Sequence, residues 1–348
     1  MFGKAANFTT QYNHNMKPIL FILACTSFLL TGACNGQTVK EKMSNTPHSN
    51  PMLCDPQTGA CELPAKGAAT PALTATQTAK AVKVIYFTDP ICSSCWGIEP
   101  QLRKLKLEYG QDVEIEYHMG GLLPSWDVYN SGGISRPSDV AQHWEEASAY
   151  YGMPIDGDVW LNDPLPSSYP PSIAFKAAQM QSETKAVIFL RRIREMVFME
   201  RKNITKWPYL QQAAEEAGLD TALLRHDAAG KAVQAFENDL KLAAGMGVRG
   251  FPTLFITGNN GKPITVYGFK PYAEMVRAVR EVYPGVQSQP VNSAPESLFG
   301  HYPTLTLSEF ALLTNQDKVA AQKALQALEQ SGMLRTRASK NGALWLRR

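Results

Sequence analysis

The 348-residue chain is 44% hydrophobic and 19% charged, an ordinary globular composition with material for one medium domain plus appendages. Its formal net charge of +3 is too small to argue for nucleic acid as a partner, and none is expected. The six cysteines, Cys25, Cys34, Cys54, Cys61, Cys92 and Cys95, carry most of the chemical information.

The first apolar run, Pro18 to Leu30 (PILFILACTSFLL), follows Met16-Lys17. At about a dozen residues it is too short to cross a bilayer as a helix and suits the apolar stretch of a signal peptide. It ends in Leu30-Thr31-Gly32-Ala33-Cys34, which resembles the lipobox of bacterial lipoproteins, with Thr31 where Leu is usual. The expectation is a leader over residues 1–34, with Met16 as an alternative start, and membrane attachment through a lipidated Cys34. The protein would then be exported, in the periplasm or cell envelope; a chain whose leader does not function would stay cytoplasmic. Export implies an oxidising compartment and leaves two close thiol pairs, Cys54/Cys61 and Cys92/Cys95.

Residues 35–80 are rich in Thr, Ala, Pro, Asn and Ser and read as a flexible tether. Cys54 and Cys61 lie inside it, flanking Pro56 and Gly59. About twenty residues separate Cys61 from the first strand, a reach of roughly 25 Å, so this pair can visit Cys92/Cys95.

Folded structure begins with a strand near Val82 to Thr88, then a helix near Trp96 to Tyr109 and a strand near Val113 to Met119. Residues 136–246 are mostly helical: Ser138 as N-cap of a run to Tyr151, then Ser172 to Gln181, Lys185 to Lys202, Tyr209 to Ala217 and Lys231 to Met246. Strands at Thr253 to Thr257 and Pro263 to Tyr267 and a helix at Pro271 to Val282 complete a β-α-β, helical insertion, β-β-α order. Residues 285–300 read as a linker. Residues 301–348 form a separate small unit of two helical segments and a hairpin signalled by Asn341-Gly342.

Cys92-Ser93-Ser94-Cys95 joins the first strand to the first helix. At a helix N-terminus the first sulfur lies near unsatisfied N–H groups and the positive end of the dipole. This favours thiolate and suits thiol–disulfide exchange. A fixed disulfide or half a zinc site is the alternative. A zinc site needs two more ligands. Only Cys54/Cys61 remain, and none of the six histidines sits in a ligand-like motif. No metal and no organic cofactor are expected.

The element order and this CxxC resemble an α/β thioredoxin-like fold, and the helical insertion makes residues 81–284 similar to the DsbA family. Pro100 matches the proline that kinks the active-site helix in many such proteins, and Gly250-Phe251-Pro252-Thr253 the segment carrying a cis-proline. Asp89-Pro90-x-Cys92-x-x-Cys95-Trp96, Met119-Gly120-Gly121-Leu122 and Ser168-Tyr169-Pro170-x-Ser172-Ile173-Ala174 resemble the branch containing FrnE-type oxidoreductases and the cytosolic adaptor that delivers Spx to the ClpXP protease.

From this resemblance, Cys92, exposed at the helix start, is the expected attacking thiolate and the more buried Cys95 resolves the mixed disulfide. The backbone at Phe251 and Pro252 pairs with an extended substrate by strand addition, and Trp96 is either part of an apolar docking surface or core. Glu99 is a candidate proton acceptor for Cys95, and His118 reads as a hydrogen-bonded strand residue. Cys54/Cys61 read as a local structural disulfide or as a tethered second redox pair.

The C-terminal unit resembles a winged helix, whose Arg335, Arg337, Lys340, Arg347 and Arg348 are expected to serve packing or protein interaction rather than DNA. The expected activity is thiol–disulfide exchange with protein substrates and an unidentified redox partner. The alternative is a non-catalytic protein-binding adaptor or redox-responsive regulator on the same scaffold.

Overall fold

The computed structural model describes residues 54–55, 60–62, 80–129, 134–259 and 261–348. The leader, Cys34 and most of the expected tether lie outside them. Two short antiparallel strands come first, β1 (Cys54–Asp55) and β2 (Ala60–Glu62). The chain then enters β3 (Val82–Thr88), buried at every position but Lys83. Such near-continuous apolar burial marks a strand covered on both faces. α1 (Ser93–Gly97) and α2 (Glu99–Tyr109) carry the chain across to β4 (Val113–Met119), which runs parallel to β3. The break between the helices falls at Ile98. Pro100 has no N–H to donate to the Trp96 carbonyl, so the helix restarts instead of continuing.

Residues 137–245 form the helical insertion: α3 (Pro137–Tyr151), α4 (Val159–Asn162), α5 (Tyr169–Gln181), α6 (Glu183–Met199), α7 (Trp207–Glu216), α8 (Thr221–Ala228) and α9 (Lys231–Gly245). Then come β5 (Gly250–Phe251), β6 (Thr253–Thr257), β7 (Ile264–Tyr267) and α10 (Tyr272–Val282). The main sheet has the order β4-β3-β6-β7, with β6 antiparallel to both neighbours. A second, three-stranded sheet has the order β1-β2-β5.

Several elements differ from the sequence reading. α3 is capped by Arg136 and begins at Pro137 rather than after Ser138, because the first helical position needs no N–H. α5 likewise begins at Tyr169, with Pro170 and Pro171 in its first turn. The short α4 and α8 give too few turns for a periodicity to register. Within residues 285–300, expected as linker, Pro295 opens α11 (Pro295–His301), which buries Leu298 and Phe299.

The remaining elements are β8 (Thr304–Thr306), α12 (Leu307–Thr314), α13 (Lys318–Gln330), β9 (Leu334–Ser339) and β10 (Gly342–Arg347). The strands order as β8-β10-β9, and Lys340 and Asn341 turn the hairpin. This part has its own core around Leu298, Leu305, Phe310, Leu325 and Trp345. It does not stand apart from the rest of the chain as expected. Alternate β10 side chains point to opposite faces: Trp345 joins the small core, while Leu344 and Leu346 join the large one.

Ion pairs, those of Glu309 buried, reinforce that join. Glu309 of α12, fully buried, accepts both terminal nitrogens of Arg191 of α6 at 2.7 and 3.1 Å and lies 3.3 Å from Arg103 of α2. Arg337 and Lys340 of the hairpin pair with Glu200 and with Glu145 and Asp158 of the insertion.

Burial alone would raise the Glu309 pKa, but Arg103 and Arg191 outweigh it and hold the carboxyl below the usual range. A depressed folded-state pKa stabilises above the unfolded value of about 4.3 and is lost as pH falls through the folded one. Glu309→Gln, which leaves the buried arginines short of charge, is expected to cost about 3 kcal/mol at neutral pH by urea denaturation. The difference from wild type should shrink below about pH 4; a pH-independent difference would contradict this account.

Candidate functional site

Cys92 is the N-cap of α1, and its sulfur accepts the Cys95 N–H at 3.2 Å. Both cysteines stand as thiols with no exposed surface. Full burial corrects the expectation of an exposed Cys92, and with it the expected direction of its pKa. Burial pushes the Cys92 thiol up, and hydrogen bonding with Cys95 pushes it further. For Cys95 the effect of burial is outweighed by the hydrogen bond from Cys92 and the charge of Arg194, and its pKa is lowered. In this closed arrangement negative charge is favoured on Cys95 over Cys92.

Arg194, fully buried on α6, organises the underside of the site. It donates to Glu99 at 2.6 Å, to the Thr88 hydroxyl at 2.6 Å and to the Asp89 carbonyl at 3.2 Å. Glu99 is therefore committed to an ion pair, with Arg103 a further 3.8 Å neighbour, which removes it as the proton acceptor for Cys95.

A second buried carboxyl beside the CxxC turn is Asp89, which sequence reasoning used only as a family marker. It is fully buried and accepts from Ile91 N–H, Leu122 N–H and the Ser168 hydroxyl at 2.8–3.0 Å. Burial pushes its pKa up to about 6 against those hydrogen bonds. The three motifs quoted for the branch thus converge: Ser168 and Leu122 both bind Asp89, three residues before Cys92. Its signal in the sequence was only its place in the strand-to-helix turn.

On the opposite wall the Phe251–Pro252 peptide bond is cis. Phe251 is fully buried: its ring fills the space above Gly120, where an added Cβ would lie 1.8 Å from Phe251 Cζ. What Phe251 offers at this edge is its backbone. β5 pairs antiparallel with β2, with Cys61 opposite Phe251 and Glu62 opposite Gly250. β2 also approaches α1, with Cα atoms within 8 Å. Cys54, on β1, is opposite Cys61. The structure therefore brings the expected second pair to the edge expected for substrate.

Trp96 is core and not docking surface. It is fully buried, donates to the Pro154 carbonyl at 3.0 Å, stacks on Phe198 and lies under the Arg191 guanidinium at 4.4 Å. His118, as expected, is a bonded strand residue, held between Asp239 at 2.7 Å and Glu116 at 2.8 Å.

Among the described residues, Glu145, Asp156 and Asp158 cluster with metal-ligand spacing, and each is paired with Lys340 or Arg201. A cavity of about 810 Å³ lies away from the thiols, between α2, α6 and Gly300 to Thr304.

The fit of Phe251 over Gly120 gives a test. Gly120→Ala forces the ring or the cis-proline segment to move and should cost about 1–3 kcal/mol in urea unfolding. Gly300→Ala, with nothing within 4 Å of an added Cβ, should change stability by less than about 0.5 kcal/mol. Equal effects would refute the account of the packing.

Residues 86–277 match the thioredoxin family. The chain is 32% identical over 306 residues to the ClpXP adapter protein SpxH of Halalkalibacterium halodurans, covering 86% of this chain and 98% of that protein. It is 30% identical over 272 residues to the protein of the same name from Bacillus subtilis, covering 76% of this chain and 89% of that one. Among solved structures, a putative protein disulfide isomerase from Nitrosomonas europaea aligns at TM-score 0.49 and 19% identity over 59% of this chain and 97% of its own. With a thioredoxin-type sheet, a CxxC at the start of α1, a cis Phe251–Pro252 bond and residues 86–277 matched by the family, the chain belongs to the thioredoxin family.

Proposed function

We propose that the protein is a thiol–disulfide oxidoreductase acting on protein substrates. The observation that carries this reading is a dithiol at the N-cap of α1 beside a cis-proline edge that pairs with an extended strand. Cys92 attacks a substrate disulfide to form a mixed disulfide, the substrate's other sulfur leaving as thiolate. Cys95, whose charge Arg194 favours, then attacks Cys92 and releases the second substrate sulfur. The reverse sequence oxidises a substrate dithiol, and the reduction potential sets the direction. A cleaved leader and a lipidated Cys34 complete the reading by placing this chemistry at the outer side of a membrane.

In an insulin or peptide-dithiol exchange assay the full chain should outrun free dithiothreitol, and Cys92→Ala should fall to the uncatalysed rate. A wild-type rate no faster than dithiothreitol, with Cys92→Ala indistinguishable from it, would overturn the reading.

Asp89 is assigned as proton acceptor for the pair. Its raised pKa means that it favours the fold below the unfolded value of about 3.9, and that this contribution is lost as pH rises through about 6. Ionised above that pH, it can take a thiol proton. Exchange should therefore rise through about pH 6, and Asp89→Asn should lose that inflection while becoming relatively more stable than wild type at pH 8. An unchanged profile would remove Asp89 from the chemistry.

A second reading has its own support: the relatives aligned over 98% and 89% of their lengths are named ClpXP adapters. In that reading the scaffold presents a protein to a protease and the thiols are a sensor. Cys92→Ala/Cys95→Ala separates the two, since partner delivery persists in the double variant only if the scaffold is an adaptor.

A further inference from the structure

The β1–β2 hairpin stands where an exchange substrate would stand. A free strand edge next to a cis-proline accepts one extended segment, whose backbone pairs with it. Here that segment belongs to the chain itself. β2 pairs with β5 through Cys61 opposite Phe251, and the sheet order β1-β2-β5 places Cys61 on the strand next to the edge and Cys54 one strand further out. Cys92 and Cys95, meanwhile, have no surface open to solvent. The two hairpin cysteines are directly opposed in an antiparallel pair, a position where Cα atoms lie about 4.5–5.5 Å apart, within the span a disulfide needs.

We propose that Cys54/Cys61 is a second redox site whose substrate is the Cys92/Cys95 pair of the same chain, docked by strand addition of β2 at the cis-proline edge. This rests on the exchange activity proposed above. In the transfer, the Cys92 thiolate attacks the Cys61 sulfur. The Cys92–Cys61 bond forms and the Cys54–Cys61 bond breaks, its electron pair leaving on Cys54, which takes a proton. Cys95 thiolate then attacks Cys92. The Cys92–Cys95 bond forms, the Cys92–Cys61 bond breaks, and Cys61 leaves as thiolate and is protonated.

Two electrons and two protons pass from the Cys92/Cys95 dithiol to the Cys54–Cys61 disulfide, and the reverse transfer uses the same bonds. An external protein substrate must displace β2, so the hairpin is both electron carrier and cover. Tethering supplies a local concentration of about millimolar, which lets the transfer compete with dissolved dithiols.

The test uses the full chain with pairs of cysteines replaced. Cys54→Ser/Cys95→Ser leaves Cys61 and Cys92 to meet, and Cys61→Ser/Cys95→Ser leaves Cys54 and Cys92. After oxidation with diamide and non-reducing peptide mapping, the Cys61–Cys92 disulfide should form at least about tenfold faster than Cys54–Cys92, and within one chain. Equal rates, or crosslinks only between chains, would overturn the proposal.

A second measurement uses Cys54→Ser/Cys61→Ser with Cys92 and Cys95 intact. Iodoacetamide labelling of Cys92 should be at least about tenfold faster in this variant if loss of the pair loosens the hairpin, or reoxidation of Cys92/Cys95 by oxidised glutathione should slow by a similar factor if the relay carries the electrons. Unchanged labelling together with unchanged reoxidation would overturn the proposal, while retained peptide exchange in that same variant would leave the oxidoreductase reading standing. If Cys92→Ala also matches wild type in peptide exchange, the oxidoreductase reading itself fails.

Discussion

The buried guanidinium of Arg194 is the point on which the site and the fold both depend. A charge with no access to water costs several kcal/mol to place, repaid only by partners held at good geometry. Arg194 finds them in Glu99 of α2, the Thr88 hydroxyl at the end of β3 and the Asp89 carbonyl just before the CxxC. One side chain of the helical insertion thereby fixes the strand end, the helix and the turn that carry the thiols. Arg191, one turn earlier on α6, extends the arrangement outward, lying over Trp96 and binding Glu195 and Glu309. The insertion is the support of the thioredoxin core, and the C-terminal part is bolted to it through the same helix.

This support explains why the thiols are asymmetric. Arg194 favours charge on Cys95, whereas Cys92 sits deeper in apolar cover than a helix N-terminus alone would suggest. Helix-end electrostatics favour a thiolate when water can reach the group; with the sulfur fully buried, desolvation prevails. The reactivity of Cys92 therefore depends on what shields it from water, and β2, paired with β5, approaches the helix that carries it.

Much of the fold was legible from the chain. The apolar run of β3, the CxxC at its end, Pro100 and Phe251-Pro252 each carry a local physical requirement, and all fell where expected. The long helices of the insertion were visible by their periodicity. Less legible were the short elements α4, α8, α11 and β5, which give too few residues for a pattern and form because neighbours pair with them or bury them. Trp96, Glu99 and Asp89 show the same limit within the site. An aromatic after a CxxC, a carboxylate one turn on and a carboxylate three residues before look alike as sequence. Only the positions of Phe198, Arg194 and Ser168, distant along the chain, made the first a core residue, the second an ion-pair partner and the third a buried titratable acid.

By itself the sequence determined the chemistry available: two thiol pairs, one of them poised between strand and helix, on a β-α-β and β-β-α frame. Those assignments rest on local geometry, on hydrophobic period and on the restricted backbone of proline, which operate within a few residues of chain. What the tertiary structure decided was which groups meet. It buried both thiols, withdrew Glu99 into an ion pair, and fused the C-terminal part to the main core through Leu344, Leu346 and Glu309. It also laid the Cys61 strand against Phe251. Each outcome depends on desolvation and pairing between segments far apart in sequence, and the strength of a charge or the reach of a sulfur is set by what closes around it.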